Sequence, residues 1–134
     1  MNTEKYGALV LRVALGGLFL IHGGLKLFVF GPSGTAGYFA SLGLPAALAY
    51  FDIALELLAG LALIAGFYTR IAAIVLIPVL IGTIVAVHGV NGFFFNATGG
   101  GWEYPAFWAV ALLVQALIGD GAFALRPSAR VAAI

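Results

Sequence analysis

Residues 70–89 read RIAAIVLIPVLIGTIVAVHG, an apolar stretch whose ionisable side chains, Arg70 and His88, lie at its two ends. A helix rises about 1.5 Å per residue, so roughly 20 residues of this kind cross the hydrocarbon core of a bilayer. Because lipid offers the backbone no hydrogen-bond partners, the stretch is expected to be helical despite its many Val and Ile residues. The segment therefore predicts a transmembrane helix.

Three further apolar stretches of comparable character occupy residues 6–30, 45–66 and 104–118. The chain has 134 residues, of which 63% are hydrophobic and 8% charged, whereas charged residues make up roughly a quarter of soluble domains. We therefore predict an all-α integral membrane protein, a single transmembrane domain over residues 1–134 that forms a four-helix bundle in the lipid bilayer. The connections at residues 31–44 and 90–103 are predicted to be long aromatic loops on one outer side.

The distribution of cations predicts the orientation. Lys5, Arg70, Arg126 and Arg130 fall on one side of the predicted helices, and the two long connections contain no Lys or Arg. Because cytoplasmic segments are enriched in these residues, both termini are predicted to be cytoplasmic in a multi-pass protein of the inner (plasma) membrane. The formal net charge of +1 includes no basic run, which argues against nucleic acid as a partner.

Ionisable residues inside a spanning segment cost several kcal/mol unless they are paired or hydrated, so these positions are the candidates for function. The first stretch contains Arg12, His22 and Lys26, and the second contains Asp52 and Glu56. We predict that the two polar faces pack together, with an Arg12–Glu56 ion pair at the centre. The alternatives are a structural pair that fixes helix register, and interfacial charges at Lys26 and Asp52.

Side chains near the last two stretches extend this group into a predicted outer-half pocket for a flat, partly polar ligand. Glu56 and His22 are predicted to be catalytic, because a carboxylate and an imidazole can exchange protons with a ligand. A structural histidine is the alternative for His22. The predicted ligand-binding side chains are Arg12, Lys26, Asp52, His88, Trp102, Glu103, Trp108 and Gln115.

The absence of cysteine limits the cofactors that this chain can bind. Without thiolates the chain cannot hold a cysteine-ligated iron–sulfur cluster or a thioether-linked haem, so no cofactor is expected to be bound covalently and no metal site is predicted. A b-type haem between His22 and His88 is disfavoured, because His88 lies close to the membrane surface. Any redox role then needs an electron carrier from elsewhere. Asp120 is predicted to cap the end of the fourth helix.

The order and spacing of several motifs resemble the DoxX family over nearly the whole chain. The motifs are Arg12-x3-Gly16, His22-Gly23-x2-Lys26, Glu56-x3-Gly60, Gly66-x3-Arg70, Gly100-Gly101-Trp102-Glu103 and Gly119-Asp120-Gly121. The resemblance implies a small four-helix inner-membrane protein in a family named after a subunit of a thiosulfate:quinone oxidoreductase. It also implies a soluble oxidoreductase partner, and roles in quinone, catechol or oxidative-stress responses. The motif positions carried over are Arg12, His22, Lys26, Glu56, Arg70 and Glu103.

Three functions are compatible with this sequence. The first is a membrane redox subunit that binds quinone or a related small aromatic, with Lys26 stabilising a reduced oxygen. The second is a proton-coupled small-molecule transporter, which would suit a homo-oligomer. The third is a membrane scaffold or assembly factor, in which the buried charges specify helix pairing and have no chemistry of their own.

Overall fold

The computed structural model describes residues 2–128, which form an all-α structure without named strands. This part of the chain contains five α-helices. In chain order they are α1 (Thr3–Gly24), α2 (Pro32–Ser41), α3 (Ala46–Ala65), α4 (Thr69–Thr83) and α5 (Glu103–Ile118). A π-helical turn extends α1 over Leu25–Val29, and another extends α4 over Ile84–His88, followed by a 3₁₀ turn at Gly89–Asn91.

Three of these helical segments are long and apolar enough to cross a membrane: Thr3–Val29, Ala46–Ala65 and Thr69–Asn91. Helix α5 is apolar but shorter. Large apolar side chains such as Phe28 and Val85 are 82% and 77% exposed on the outside of the helices, which suits a surface in contact with lipid rather than water.

The predicted loop at residues 31–44 is wrong, because most of it forms α2. Gly31 adopts a left-handed φ of 74°, and Pro32 follows in the first helical turn, where its missing N–H has no cost. The side chain of Thr35 is buried, and its hydroxyl lies 3.0 Å from the carbonyl oxygen of Lys26. The second connection stays irregular, with Phe93, Phe94 and Phe95 exposed.

Helix α1 packs most extensively against α3, and α4 against α5. The closest approach of α1 and α3 is at Gly16 and Gly60, where a Cβ on Gly16 would lie 2.6 Å from the Gly60 carbonyl oxygen. The core between the helices is formed by side chains such as Phe19, Leu76 and Leu112, none of which has exposed surface. Small residues thus allow the backbones of α1 and α3 to touch.

The bundle has two ends. We call the end with residues 3–5, 65–70 and 118–128 the terminal end, and the end with residues 25–45 and 84–103 the loop end. At the terminal end, residues 119–128 cross beneath the helices. The N–H of Ala122 donates to the carbonyl of Lys5 (2.9 Å), and the N–H of Leu125 donates to the carbonyl of Ala65 (3.0 Å).

Candidate functional site

A three-residue ion cluster lies at the loop end between α1 and α3. The Nζ of Lys26 is 2.5 Å from Oδ2 of Asp52 and 2.9 Å from Oε1 of Glu56. Asp52 and Glu56 are one turn apart on α3, and their side chains are only 9% and 4% exposed, whereas the Lys26 side chain is 21% exposed. The prediction that Asp52 and Glu56 present one polar face to α1 is confirmed.

The π-helical turn of α1 carries Lys26. Its hydrogen bond runs from the N–H of Phe30 to the carbonyl of Leu25, five residues back, instead of the four residues of an α-helix. Such a turn changes the direction of its side chains relative to the regular helix, and π-turns are frequent at functional sites. The other π-turn, at the end of α4, carries His88.

His22 and Trp108 lie beside this cluster. The imidazole of His22 and the indole of Trp108 have ring centroids 5.0 Å apart at an angle of 62°, and Phe19 packs on the same indole at 4.7 Å. Gly23 follows His22 in α1, and a Cβ added to Gly23 would lie 3.3 Å from Cβ of Glu56. Trp108 and Glu56 therefore adjoin consecutive residues of α1.

Two buried polar atoms in this region have no hydrogen-bond partner among the described residues: Oε2 of Glu56 and Nε1 of Trp108. One is an acceptor and the other a donor, and buried groups of either kind normally find a partner. The formal charges of Lys26, Asp52 and Glu56 sum to −1 when all three are ionised. Oε2 of Glu56 can therefore accept one further hydrogen bond, and Nε1 of Trp108 can donate one.

The predicted Arg12–Glu56 ion pair is wrong. The guanidinium of Arg12 instead donates to four backbone carbonyls: Nε to Asp120 (2.7 Å), Nη2 to Ala122 (2.7 Å), and Nη1 to Leu63 (3.1 Å) and Ile64. Helical side chains lean toward the N-terminus of their helix, so Arg12 extends toward the terminal end and away from Glu56. There it binds two carbonyls in the last turn of α3, of which that of Leu63 also accepts the N–H of Gly66.

Gln115 is also at the terminal end and not in the outer half. Its Nε2 donates to the carbonyls of Gly119 (2.7 Å) and Ala8 (3.3 Å). Asp120 does not cap α5 as predicted, because its carboxylate accepts hydrogen bonds from the backbone N–H and the hydroxyl of Ser128. Arg70 caps α5 instead, through Nη1 bonds to the carbonyls at its C-terminal end.

His88 occupies a third place, in the connection between α4 and α5. Its Nδ1 lies 2.8 Å from the Gly100 carbonyl oxygen, and its Nε2 lies 2.8 Å from the Tyr104 hydroxyl. A neutral imidazole that donates from Nδ1 and accepts at Nε2 satisfies both partners. Both ring nitrogens are then engaged within the connection.

Trp102 and Glu103 stabilise the same connection. The indole of Trp102 packs edge-on against Phe93 at 4.8 Å, and Oε1 of Glu103 accepts a hydrogen bond from the N–H of Phe95 (3.1 Å). The ten predicted site residues thus divide among three places. Lys26, Asp52 and Glu56 form the ion cluster, with His22, on the preceding turn of α1, in contact with Trp108; Arg12 and Gln115 lie at the terminal end, and His88, Trp102 and Glu103 order the connection.

Sequence reasoning missed Thr35, whose hydroxyl bonds the backbone of the Lys26 turn and places α2 beside the ion cluster. The signal that could have found it is Gly31-Pro32, because a proline just after a glycine often marks the first turn of a helix.

The fold and the site together define a class: a small helical membrane protein with an ion cluster between its first and second long helices. Comparison with known proteins is consistent with this class. The DoxX family model matches residues 7–89, which is more than half of the chain. The chain belongs to the DoxX family.

Two curated relatives cover most of the chain. It is 36% identical over 128 residues to "Putative oxidoreductase CatD" of Bacillus subtilis (strain 168), across 95% of this chain and 90% of that protein. It is 34% identical over 143 aligned positions to "Inner membrane protein YphA" of Escherichia coli (strain K12), across 93% and 98%. No solved structure gave a significant match.

Proposed function

We propose that this protein is a membrane redox subunit that binds quinone or a related small aromatic at the Lys26–Asp52–Glu56 cluster, with Trp108 and His22 beside the ring. The observation that carries the proposal is the pair of unpartnered buried atoms, Oε2 of Glu56 and Nε1 of Trp108. A reduced quinone presents a hydroxyl that can donate and an oxygen that can accept, which matches these two atoms. The name of the Bacillus relative, which calls that protein an oxidoreductase, supports this choice.

The residues have distinct roles in this proposal. As two electrons from the partner reduce the quinone, Glu56 delivers a proton to one ligand oxygen, whose hydroxyl then donates to the Glu56 carboxylate, and the ammonium of Lys26 stabilises the negative charge that remains on the ligand. Trp108 donates to the other oxygen and packs against the ring. The ligand reaches the cluster past Lys26, which has the largest exposed fraction of the three charged side chains. Electrons come from a soluble oxidoreductase partner, since the chain has no cysteine to hold an iron–sulfur cluster.

We also propose four membrane crossings, with α5 as the fourth and the terminal end in the cytoplasm. Lys5, Arg70 and Arg126 lie at the terminal end, whereas residues 31–44 and 90–103 contain no Lys or Arg. Arg130, which the sequence also assigns to that side, is outside the described residues. Because the chain has no cysteine, single cysteines at Asn2 and Phe95 can report the orientation. A membrane-impermeant maleimide applied to spheroplasts should label Phe95→Cys and not Asn2→Cys.

The binding test uses the two tryptophans separately, since the chain contains only Trp102 and Trp108. In Trp102→Phe, all tryptophan fluorescence arises from Trp108, and a short-chain quinone should quench it saturably. In Trp108→Phe, the remaining Trp102 is in the connection and should show only unsaturable collisional quenching. Glu56→Gln in the Trp102→Phe background should weaken binding by about tenfold, the size of one charged hydrogen bond.

The control for this test is Glu4→Gln, which makes the same chemical change at an exposed position near the N-terminus. It should leave the quinone affinity unchanged. Absence of saturable quenching in folded Trp102→Phe protein would contradict the proposal and favour an assembly role, in which the ion cluster only joins α1 to α3.

A further inference from the structure

A cationic cavity at the terminal end takes no part in the proposed redox site. Its volume is about 330 Å³, and its walls are Tyr68, Arg70, Ile71, Arg126, Pro127 and Ser128. Two of these six side chains are cations and none is acidic. A second cavity nearby, of about 850 Å³, is instead lined by both signs of charge, since its walls include Lys5 and Arg70 as well as Glu4 and Asp120. The charged side chains that line the smaller cavity are both positive, so this cavity favours an anion.

The two arginines are held in place by the protein itself. Arg70 caps α5 through Nη1, at 2.6 Å from the Ala116 carbonyl oxygen and 3.0 Å from that of Leu117. The guanidinium carbon of Arg126 lies 4.4 Å from the centre of the Tyr68 ring, a cation–π contact, and its backbone N–H donates to the Gly66 carbonyl. Positions fixed in this way lower the entropic cost of binding a ligand.

Arg70 retains hydrogen-bonding capacity. Its Nε is buried and has no partner among the described residues. An N–H of a guanidinium is a strong donor, and arginine is the preferred residue for a phosphate because its planar fork matches two oxygens. The hydroxyl of Ser128 also lines the cavity, but its proton is donated to Asp120, so the donors that remain for a phosphate are those of the two arginines.

The position of the cavity indicates where the phosphate comes from. It lies where α4 begins, and Ile71, one of its walls, is 58% exposed on the apolar surface of that helix. Phe123 and Leu125, in the neighbouring crossing segment, are 79% and 74% exposed, which suits insertion among acyl chains at the membrane interface. Basic pockets at helix ends in this zone are suited to anionic lipid headgroups.

We propose that this cavity binds the headgroup phosphate of an anionic phospholipid, held between Arg70 and Arg126 at the terminal end. The acyl chains lie along Ile71 and the apolar face of α4. This site is separate from the ion cluster at the loop end, and the proposal does not depend on quinone binding.

The test measures lipid binding to delipidated protein in detergent by native mass spectrometry and by thermal melting. Phosphatidylglycerol should bind one molecule per chain and raise Tm, whereas phosphatidylcholine with the same acyl chains should do neither. Arg126→Gln should weaken phosphatidylglycerol binding by about tenfold. This side chain is exposed and caps no helix, so the variant should fold normally.

Two controls separate the alternatives. Lys5→Gln removes a cation at the same end but outside this cavity, and should change the affinity by less than about twofold. Glycerol phosphate should compete only weakly, because it lacks acyl chains. Equal losses for Arg126→Gln and Lys5→Gln would show that general surface charge attracts the lipid, and would overturn the proposal. Glycerol phosphate binding as tightly as the lipid would overturn the lipid as the source of the phosphate.

Discussion

Helix α1 and the π-turn that extends it carry two cations, Arg12 and Lys26, that the protein satisfies in opposite ways. Arg12, at the terminal end, donates only to backbone carbonyls, and Lys26, at the loop end, pairs with two carboxylates on α3. A carbonyl cannot gain or lose a proton, so the Arg12 site is fixed once the chain folds. The Lys26 site contains groups that exchange protons, and one carboxylate oxygen there lacks a partner. One cation is thus bound only to the backbone, and the other to carboxylates.

The largest effect expected from this comparison is at Arg12. Arg12→Lys keeps the charge, but an ammonium with three clustered donors cannot reach carbonyls on both α3 and the crossing segment. We expect a loss of stability on the order of 4 kcal/mol, because several buried carbonyls lose their donor. Fluorescence-detected size exclusion in detergent would show aggregated protein, whereas Lys5→Gln should elute normally. A stable Arg12→Lys variant would contradict the structural role.

A smaller effect, and one that can be rescued, is expected at Lys26. Lys26→Met leaves Asp52 and Glu56 buried without their cation, which should cost about 3 kcal/mol. Adding Asp52→Asn and Glu56→Gln removes the unpaired charges and should restore most of the Tm. No such rescue exists for Arg12, since its partners are backbone atoms. Failure of the triple variant to recover stability would mean that Lys26 is held by packing rather than by charge.

Alanine substitutions at Gly16 and Gly23 test which contacts set the spacing of α1 and α3. A methyl group on Gly16 meets the Gly60 carbonyl, which cannot move aside, whereas on Gly23 it meets the flexible side chain of Leu57 at 3.0 Å. We therefore expect Gly16→Ala to cost about 2 kcal/mol and Gly23→Ala less than about 1 kcal/mol. Thermal melting of the two variants side by side would test this order. Equal shifts would show that α1 and α3 can separate freely.

An effect smaller than those at Arg12, Lys26 and Gly16 is expected at His88, whose ring nitrogens bond the connection between α4 and α5. His88→Ala removes the bonds to the Gly100 carbonyl and the Tyr104 hydroxyl, at a cost of about 1 kcal/mol. Hydrogen exchange should rise in residues 92–101 and stay unchanged in α1 and α3. A change of quinone affinity in this variant would instead place His88 in the binding site and would argue for a larger site than the one proposed.

The sequence by itself determined the parts of this protein that depend on local physics. Long apolar stretches specify helices wherever backbone groups lack water, so the long helices were predictable to within a few residues at most boundaries. The shared face of Asp52 and Glu56 was also predictable, because residues four apart on a helix lie on one face. The left-handed turn at Gly66, with φ of 70°, ends α3 where expected.

Only the tertiary structure decided which partner each cation has. The sequence predicted one polar face on the first helix that includes Arg12 and Lys26, but Lys26 is on a π-turn and the Arg12 side chain leans toward the terminal end. The carbonyls that bind Arg12 come partly from residues 119–122, and no side-chain pattern encodes where a backbone oxygen points. For the same reason, the sequence did not predict the contact of Thr35 on α2 with the Lys26 turn. Long-range contacts of this kind depend on how helices and connections pack, and the sequence pattern of any one segment does not contain that information.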